Sequence, residues 1–140
     1  MNNTSKMIIN QLIVALFLFV IVITFIFCIH NWSLRIDNDK ANKLEIFDGT
    51  TGSKAIIEGA EAEPIIDNLK DIKLKPNGIA LFRLGYRFKV RILDESGTSA
   101  CNWGLFYING DNTIRNGLFF YTAESDFIDV EYIDSLVNEN

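Results

Sequence analysis

A long uncharged apolar segment near the start of the chain constrains its fold more than any other feature. No Asp, Glu, Lys or Arg occurs between Lys6 and Arg35, and only Thr24 interrupts the apolar side chains of residues 12–29. A bilayer hydrocarbon core of about 30 Å needs about 20 helical residues. Residues 8–29 provide that length. We therefore predict a transmembrane helix over residues 7–30, with the lipid bilayer as its partner.

A cleaved signal peptide is the alternative interpretation of this segment. Such peptides have an apolar region of only about 7 to 15 residues, followed by small residues at the cleavage site. Residues 25–29 read Phe-Ile-Phe-Cys-Ile, which is bulky where a peptidase requires small side chains. The same bulk argues against Cys28 as a lipidated cysteine. The sequence favours a retained anchor.

The residues next to the anchor are predicted to lie at the membrane surface. His30 and Trp32 directly follow the apolar run, where imidazole and indole side chains reach the headgroup region. Residues 31–42 then form a juxtamembrane collar and linker, and residues 1–6 form a short N-terminal tail. Basic residues occur on both sides of the span, so charge alone leaves its orientation open.

Residues 43–140 have the pattern of a small α+β domain. Two short β-prone runs, 44–47 and 55–58, flank a glycine-containing loop and predict a hairpin. Apolar residues at helical spacing predict an amphipathic helix over residues 60–72. Residues 73–76 suit a brief strand, and Asn77-Gly78 suits a turn.

The second half of this domain is predicted to be a four-strand meander followed by a helix. Residues 86–92 alternate apolar and basic side chains at a period of two, which is typical of a strand. Turn signals at residues 94–97, 109–110 and 116–117 separate it from β-prone runs at 101–108, 112–115 and 118–121. The spacing of apolar residues over 129–137 predicts a last helix. The fold class is therefore α+β, with a transmembrane helix before a mainly antiparallel sheet.

Several of these segments together resemble a known group of proteins. They are Asp48-Gly49-Thr50-Thr51-Gly52, the apolar residues of 65–72, the alternating strand and turn of 85–97, Asn116-Gly117-Leu118-Phe119-Phe120-Tyr121, and the apolar residues of 128–136. The group is the outward-facing domain of small membrane-anchored or lipoprotein-like proteins of Gram-positive, AT-rich bacteria, whose function is uncharacterised. The resemblance covers residues 43–137. It implies an amino terminus inside the bacterial cytoplasmic membrane and a domain outside it.

Charge and composition argue against several classes of function. The net charge of −5 argues against general nucleic-acid binding, which needs a strongly basic surface. One histidine and two distant cysteines provide no metal site, and we predict no cofactor. A pair among Asp48, Asp94 and Asp111 would serve acid–base hydrolysis, but aspartates beside glycines are typical turn residues. Cys101 suits a small buried side chain better than a nucleophile. We predict that the protein is not an enzyme.

The distribution of charge suggests a binding surface. Residues 70–91 contain seven basic residues and one acidic residue, whereas residues 124–140 contain six acidic residues and no basic one. Arg87, Lys89 and Arg91, together with Arg83, are candidate partner-binding residues, because they form an exposed stripe that suits an anionic partner. The alternative is that the acidic last helix lies beside the basic strand and forms surface ion pairs.

The strand predicted over residues 101–108 is apolar on both sides, with Trp103, Leu105 and Tyr107 alternating with Phe106 and Ile108. Either a second layer covers it or it presents aromatic side chains outward. The leading functional prediction is a non-enzymatic, single-pass, membrane-anchored binding or regulatory module with an unknown protein or anionic partner. An anchored immunity or inhibitor protein against a toxin or cell-wall enzyme is the alternative. A carboxylate-based hydrolase is the third.

Overall fold

The computed structural model describes residues 3–30, 33–81 and 85–138 and divides into two compact units, Met1–Trp32 and Ser33–Asn140. The first unit is one helix, α1, over Asn3–His30. The helix begins within the segment assigned above to a tail. The hydroxyl of Thr24 donates a hydrogen bond to the Val20 carbonyl at 2.8 Å, so this polar group is satisfied within the helix.

The second unit is an α+β domain, which confirms the predicted fold class. A single antiparallel sheet of seven strands runs in the order β2-β1-β4-β5-β6-β7-β3. Its elements in chain order are β1 Lys43–Asp48, β2 Lys54–Glu58, α2 Glu63–Asp71, β3 Leu74–Ile79, β4 Phe88–Leu93, β5 Phe106–Gly110, β6 Thr113–Asn116, β7 Phe119–Ala123 and α3 Val130–Asn138. The predicted hairpin is β1–β2, and the predicted meander is β4 to β7.

One face of the sheet, called the inner face, forms the core. Its alternating side chains are buried and apolar: Leu44, Ile46, Ile57, Phe88, Val90, Ile92, Phe106, Ile108, Ile114 and Tyr121. α2 adds Ile65, Ile66 and Leu69, and α3 adds Val130, Ile133 and Val137. α3 packs against β1 and β2. The remaining face of the sheet is called the outer face.

The chain before β1 also belongs to the domain. Leu34 is buried, Ile36 forms an isolated bridge with Cys101, and the backbone N–H of Asp37 donates to the Ala100 carbonyl at 2.9 Å. Part of the segment predicted as collar and linker is therefore fastened to the loop that precedes β5.

Asn77-Gly78 lies within β3, not in a turn. β3 is an edge strand paired with β7, and its register shifts between Pro76 and Gly78. The amide of Asn77 donates to the Thr122 hydroxyl at 2.7 Å. The bulge accommodates the left-handed Gly78 within the ladder, so strand pairing overrides the local turn preference.

The strand predicted to begin at Cys101 begins at Phe106. Cys101 forms only the isolated bridge to Ile36, and residues 102–105 form turns and bends, with Gly104 at a φ of 64°. Trp103 packs in the core against Phe106 and Tyr121, at ring-centroid distances of 6.1 and 4.9 Å. Its partners are inner-face residues, so the predicted common side for Trp103 and Tyr107 is wrong.

Candidate binding face

The outer face of β2, β1 and β4 carries a mixture of charged and apolar side chains. These residues, called here the charged face, are Glu45, Phe47, Lys54, Ile56, Lys89 and Arg91. The strand register sets Glu45 opposite Arg91 and Phe47 opposite Lys89, so that they adjoin across β1 and β4. Ile56 is 61% exposed. A shallow cavity of ≈ 190 Å³ lies between five of these side chains, all except Ile56.

A carboxylate at the centre of this face pairs with two cations. The Oε1 atom of Glu45 lies 2.7 Å from Lys54 Nζ, and its Oε2 atom lies 3.1 Å from Arg91 Nη1. The hydrogen bond from Lys54, aided by the charge of Arg91, holds the pKa of Glu45 below its ordinary value despite partial burial. Lys89 makes no ion pair with any residue that the structure describes. The charged face thus carries three cations and one anion.

The structure divides the predicted basic stripe. Lys89 and Arg91 lie on the charged face, but the guanidinium of Arg87 lies 3.0 Å from the Asp134 carboxylate of α3 and 5.2 Å from the centre of the Phe88 ring. The acidic last helix therefore pairs with one of the three cations. Arg83 lies outside the described residues.

Aromatic side chains continue the outer face beside Lys89. Tyr107 is the cross-strand partner of Lys89. Its ring lies 4.9 Å from that of Tyr86 at 49°, and the Arg115 guanidinium lies 4.2 Å from its centre. Arg115 is buried, which suits a cation against an aromatic ring. Tyr107 therefore does face outward, as one of the two sequence interpretations proposed.

Sequence reasoning missed Glu45 and Lys54 as members of this surface. The sequence does contain a pattern that indicates the position of Glu45. Residues 43–46 alternate charged and apolar side chains at a period of two, and Phe47 breaks this alternation. The alternation assigns Glu45 to the face opposite Leu44. It does not indicate that β1 lies beside β4, which is the contact that joins Glu45 to Arg91.

The three candidate acid–base aspartates have separate environments. Asp48 is buried: burial would raise its pKa, but hydrogen bonds from Asn138 and from the backbone of Thr50 and Thr51 outweigh that effect and lower it. Asp48 pairs with the first residue of β4, whereas Asp94 follows the last. The two lie at opposite ends of that strand and form no catalytic pair.

Asp94 and Asp111 are turn residues. Asp94 accepts hydrogen bonds from the Ser96 hydroxyl and the Thr98 backbone at 2.7 and 2.8 Å, and these bonds, with Ser96 contributing most, lower its pKa. The backbone carbonyl of Asp111 accepts a hydrogen bond from the N–H of Ile128 at 2.6 Å. The bonds of Asp94 within its own turn are typical of turn aspartates, whereas the Asp111 bond joins its turn to the segment before α3.

The remaining candidates provide no further chemistry. Cys101 is half-buried, and its thiol lies 3.8 Å from the Ser99 hydroxyl. No group of three or more His, Cys, Asp or Glu side chains able to hold a metal ion occurs within residues 3–30, 33–81 and 85–138. His30 ends α1, and its side chain lies outside the described part of the chain, as does Trp32.

α1 is long and apolar enough over Thr4–Phe25 to cross a membrane. A membrane anchor and a signal sequence both meet this criterion. Comparisons with models of known families, with curated proteins and with solved structures find no match to this chain. The resemblance to membrane-anchored bacterial domains stays a prediction.

Proposed function

We propose that the protein is a single-pass membrane-anchored, non-enzymatic binding module that presents its domain on the outer side of the bacterial cytoplasmic membrane. The charged face binds an acidic segment of a partner protein. The observation that carries this proposal is an outer sheet face that neither α2 nor α3 covers. Lys89 lies on that face among other cations without an ion-pair partner in the described chain.

The chemistry of the face favours an anionic partner. Three cations surround one carboxylate, so a second carboxylate can approach Lys89 without displacing an existing ion pair. The exposed side of Ile56 and the half-buried Phe47 add apolar area beside the charges. Interfaces commonly combine an apolar centre with charges that orient the partner.

The sequence and length of α1 support its retention as an anchor. Residues 25–29 are bulky, and a signal peptidase requires small residues at its cleavage site. The single unbroken helix Asn3–His30 includes the whole apolar segment. The outward orientation rests on the family resemblance, because the flanking charges leave orientation open.

The test is photo-crosslinking in native membranes. A photoreactive residue replaces Ile56 on the charged face or, as the control, Phe127, which is similarly exposed but follows β7 on the way to α3. We expect a protein adduct from position 56 and none of the same mass from position 127. Adding Lys89→Glu and Arg91→Glu abolishes the adduct, whereas Lys70→Glu on α2 leaves it.

The identity of the captured protein distinguishes the functional classes. A toxin or a cell-wall enzyme would indicate the immunity or inhibitor class. An adduct that persists in the Lys89→Glu, Arg91→Glu variant would contradict the role of the charged face. Thermal melting of the same variant provides the folding control, with an expected change in stability of about 1 kcal/mol, because Lys89 makes no ion pair within the described chain and the side chain of Arg91 is exposed.

A further inference from the structure

The two edge strands of the sheet, β2 and β3, differ in whether their backbone permits further pairing. β3 contains Pro76, which lacks an N–H group, and its register shifts beside Gly78. Prolines and bulges of this kind prevent an edge strand from accepting another strand. β2 contains neither proline nor glycine, and its register with β1 is unbroken from Lys54 to Glu58. β2 is therefore the edge that can accept a further strand.

The backbone groups on the open side of β2 are those of Lys54, Ile56 and Glu58. The Ser53 carbonyl accepts a hydrogen bond at 2.9 Å from the last residue of β1, and the Gly59 N–H donates one at 3.1 Å to the residue before β1. Because backbone groups alternate in direction along an antiparallel strand, Lys54, Ile56 and Glu58 direct theirs away from β1. Within the described part of the chain, β2 pairs with no strand other than β1.

The side chains on this edge are complementary to those of a second, antiparallel copy of β2. A two-fold axis beside Ile56 sets Ile56 opposite the partner's Ile56, and it sets Lys54 opposite the partner's Glu58 and the reverse. Opposite charges that face each other across antiparallel strands are stabilising, and like charges are destabilising. The same axis aligns the outward backbone groups of the two strands as hydrogen-bonded pairs. A shift by two residues loses the charge pairing, and a parallel arrangement sets like charges side by side.

The ion pairs already present on β2 extend across such an interface. Lys54 lies 2.7 Å from Glu45, and Glu58 lies 2.8 Å from Lys43. The side chains of Lys54 and Glu58 are still 56% and 59% exposed, so each can take a second partner of opposite charge. Ile56 between them is 61% exposed, and pairing brings it against its counterpart. Charges of alternating sign thus continue from one copy to the other, and no existing pair is displaced.

We propose that the protein pairs with a second copy of itself through antiparallel association of the two β2 strands about Ile56. The two seven-stranded sheets then form one continuous sheet. Opposite residues of paired strands share a face, so the charged faces of the two copies lie side by side on one surface. A five-residue edge buries less than the about 800 Å² per partner of a standard interface. The dimer is therefore transient, and a test must trap it.

The test is disulfide trapping of the full chain in detergent, with Cys28→Ser and Cys101→Ser as the background. Ile56→Cys is compared with Ile79→Cys, because Ile79 is an isoleucine of similar exposure, 58%, on the other edge strand. Opposed Cα atoms of a hydrogen-bonded pair lie about 5.5 Å apart, within the range that a disulfide spans. We expect severalfold more disulfide-linked dimer from position 56 than from position 79. Equal amounts from the two positions overturn the inference.

Charge reversal in the Ile56→Cys chain tests the register. Lys54→Glu alone sets carboxylates opposite each other, and Glu58→Lys alone sets ammonium groups opposite each other, so each variant should lose dimer severalfold. A mixture of the two variants restores opposite charges at both positions, and we expect dimers that contain one chain of each kind. Undiminished dimer in either variant, or a mixture that forms no more dimer than the separate variants, overturns the inference. Where thermal melting shows an unfolded charge variant, the comparison of positions 56 and 79 decides.

The dimer is separable from the capture of an anionic partner at the charged face. Lys89 and Arg91 lie on β4, away from the β2 edge, so the Lys89→Glu, Arg91→Glu variant should keep the disulfide-linked dimer while it loses the partner adduct. A photo-adduct from position 56 with twice the mass of the chain is the self-adduct and is distinct from the partner adduct. Loss of the disulfide-linked dimer in that variant would place the contact on the charged face and overturn pairing through β2.

Discussion

Asp48 joins the β1–β2 loop to the last helix through one buried carboxylate. Its Oδ1 accepts hydrogen bonds from the backbone N–H groups of Thr50 and Thr51 at 2.6 and 3.2 Å, and its Oδ2 accepts one from the Asn138 amide at 3.0 Å. The turn role of Asp48 is predictable from the following glycine. The bond to Asn138 is not, because no local pattern marks a partner 90 positions away.

We expect Asp48→Ala to lower the free energy of unfolding by about 1–3 kcal/mol, because it removes the buried acceptor of three partly buried hydrogen bonds. Chemical denaturation of the full chain in detergent, followed by circular dichroism, measures this change. Asp94→Ala is the matched control, since Asp94 also bonds to its own turn but is only half-buried. Equal losses in the two variants would contradict the importance of burial at Asp48.

The same carboxylate predicts a pH dependence of stability. Hydrogen bonds hold the pKa of Asp48 in the folded state below its ordinary value of 3.8. A lowered folded pKa stabilises the fold at pH values above the unfolded pKa, and this contribution is lost as the pH falls through the folded pKa. We expect the free energy of unfolding of Asp48→Asn to fall less steeply below about pH 4 than that of the unmodified chain. Denaturation of both chains at several pH values tests this expectation. Identical slopes of unfolding free energy against pH would contradict the role of Asp48.

Gly49 is a residue whose importance comes from a distant contact. A Cβ atom at this position would lie 2.6 Å from the backbone oxygen of Tyr86 and 2.9 Å from its ring. The N–H of Gly49 also donates to the Arg87 carbonyl at 2.7 Å, which fixes the approach of the two segments. The sequence indicates a turn at Gly49, but the close approach of Tyr86 is visible only in the fold.

Gly49→Ala is therefore expected to lower the unfolding free energy by about 1–3 kcal/mol through overpacking. Gly85→Ala is the matched control, because a Cβ there meets nothing within 4 Å and its φ is not in the left-handed region. Thermal melting of the two variants is the measurement. A stable Gly49→Ala variant would show that the loop moves away from Tyr86 at little cost.

At the scale of the element, β4 shows how far alternation determines a strand. Phe88, Val90 and Ile92 are each 0% exposed, as the period of two predicts. Val90→Asp places an unpaired charge in the core and should cost more than about 3 kcal/mol. The side chain of Lys89 faces outward, so Lys89→Asp should change the free energy of unfolding by no more than about 1 kcal/mol. Denaturation midpoints of the two full-length variants measure these two changes in stability. Similar midpoints would contradict the assignment of Val90 and Lys89 to opposite faces of the sheet.

The order of the strands is what local patterns leave undetermined. Alternation identifies the buried face of each strand but does not specify which strand lies next to it. β3 thus pairs with β7 at the far edge of the sheet, and Asn77 meets Thr122 there, although the chain continues from β3 to β4. The charged face arises the same way, because only the β1–β4 pairing brings Glu45 to Arg91.

At the scale of the molecule, the domain has its own core, and we expect it to fold without α1. Every buried residue of the described core lies between Leu34 and Val137, within the unit Ser33–Asn140. A chain that begins at Ser33 should therefore unfold cooperatively without detergent. In the anchored form proposed above, removal of α1 should also abolish stable association with membranes.

The position of the cut provides the sharper test. The sequence places the domain boundary at Lys43, whereas the structure fastens Ser33, Leu34 and Ile36 to the loop before β5. A chain that begins at Lys43 loses the burial of Leu34 and the bridge from Ile36 to Cys101. We expect it to be less stable than the chain that begins at Ser33 by about 2–3 kcal/mol, the scale of one buried leucine and its hydrogen bonds. Denaturant midpoints of the two shortened chains measure the difference. Equal midpoints would mean that residues 33–42 act only as a linker.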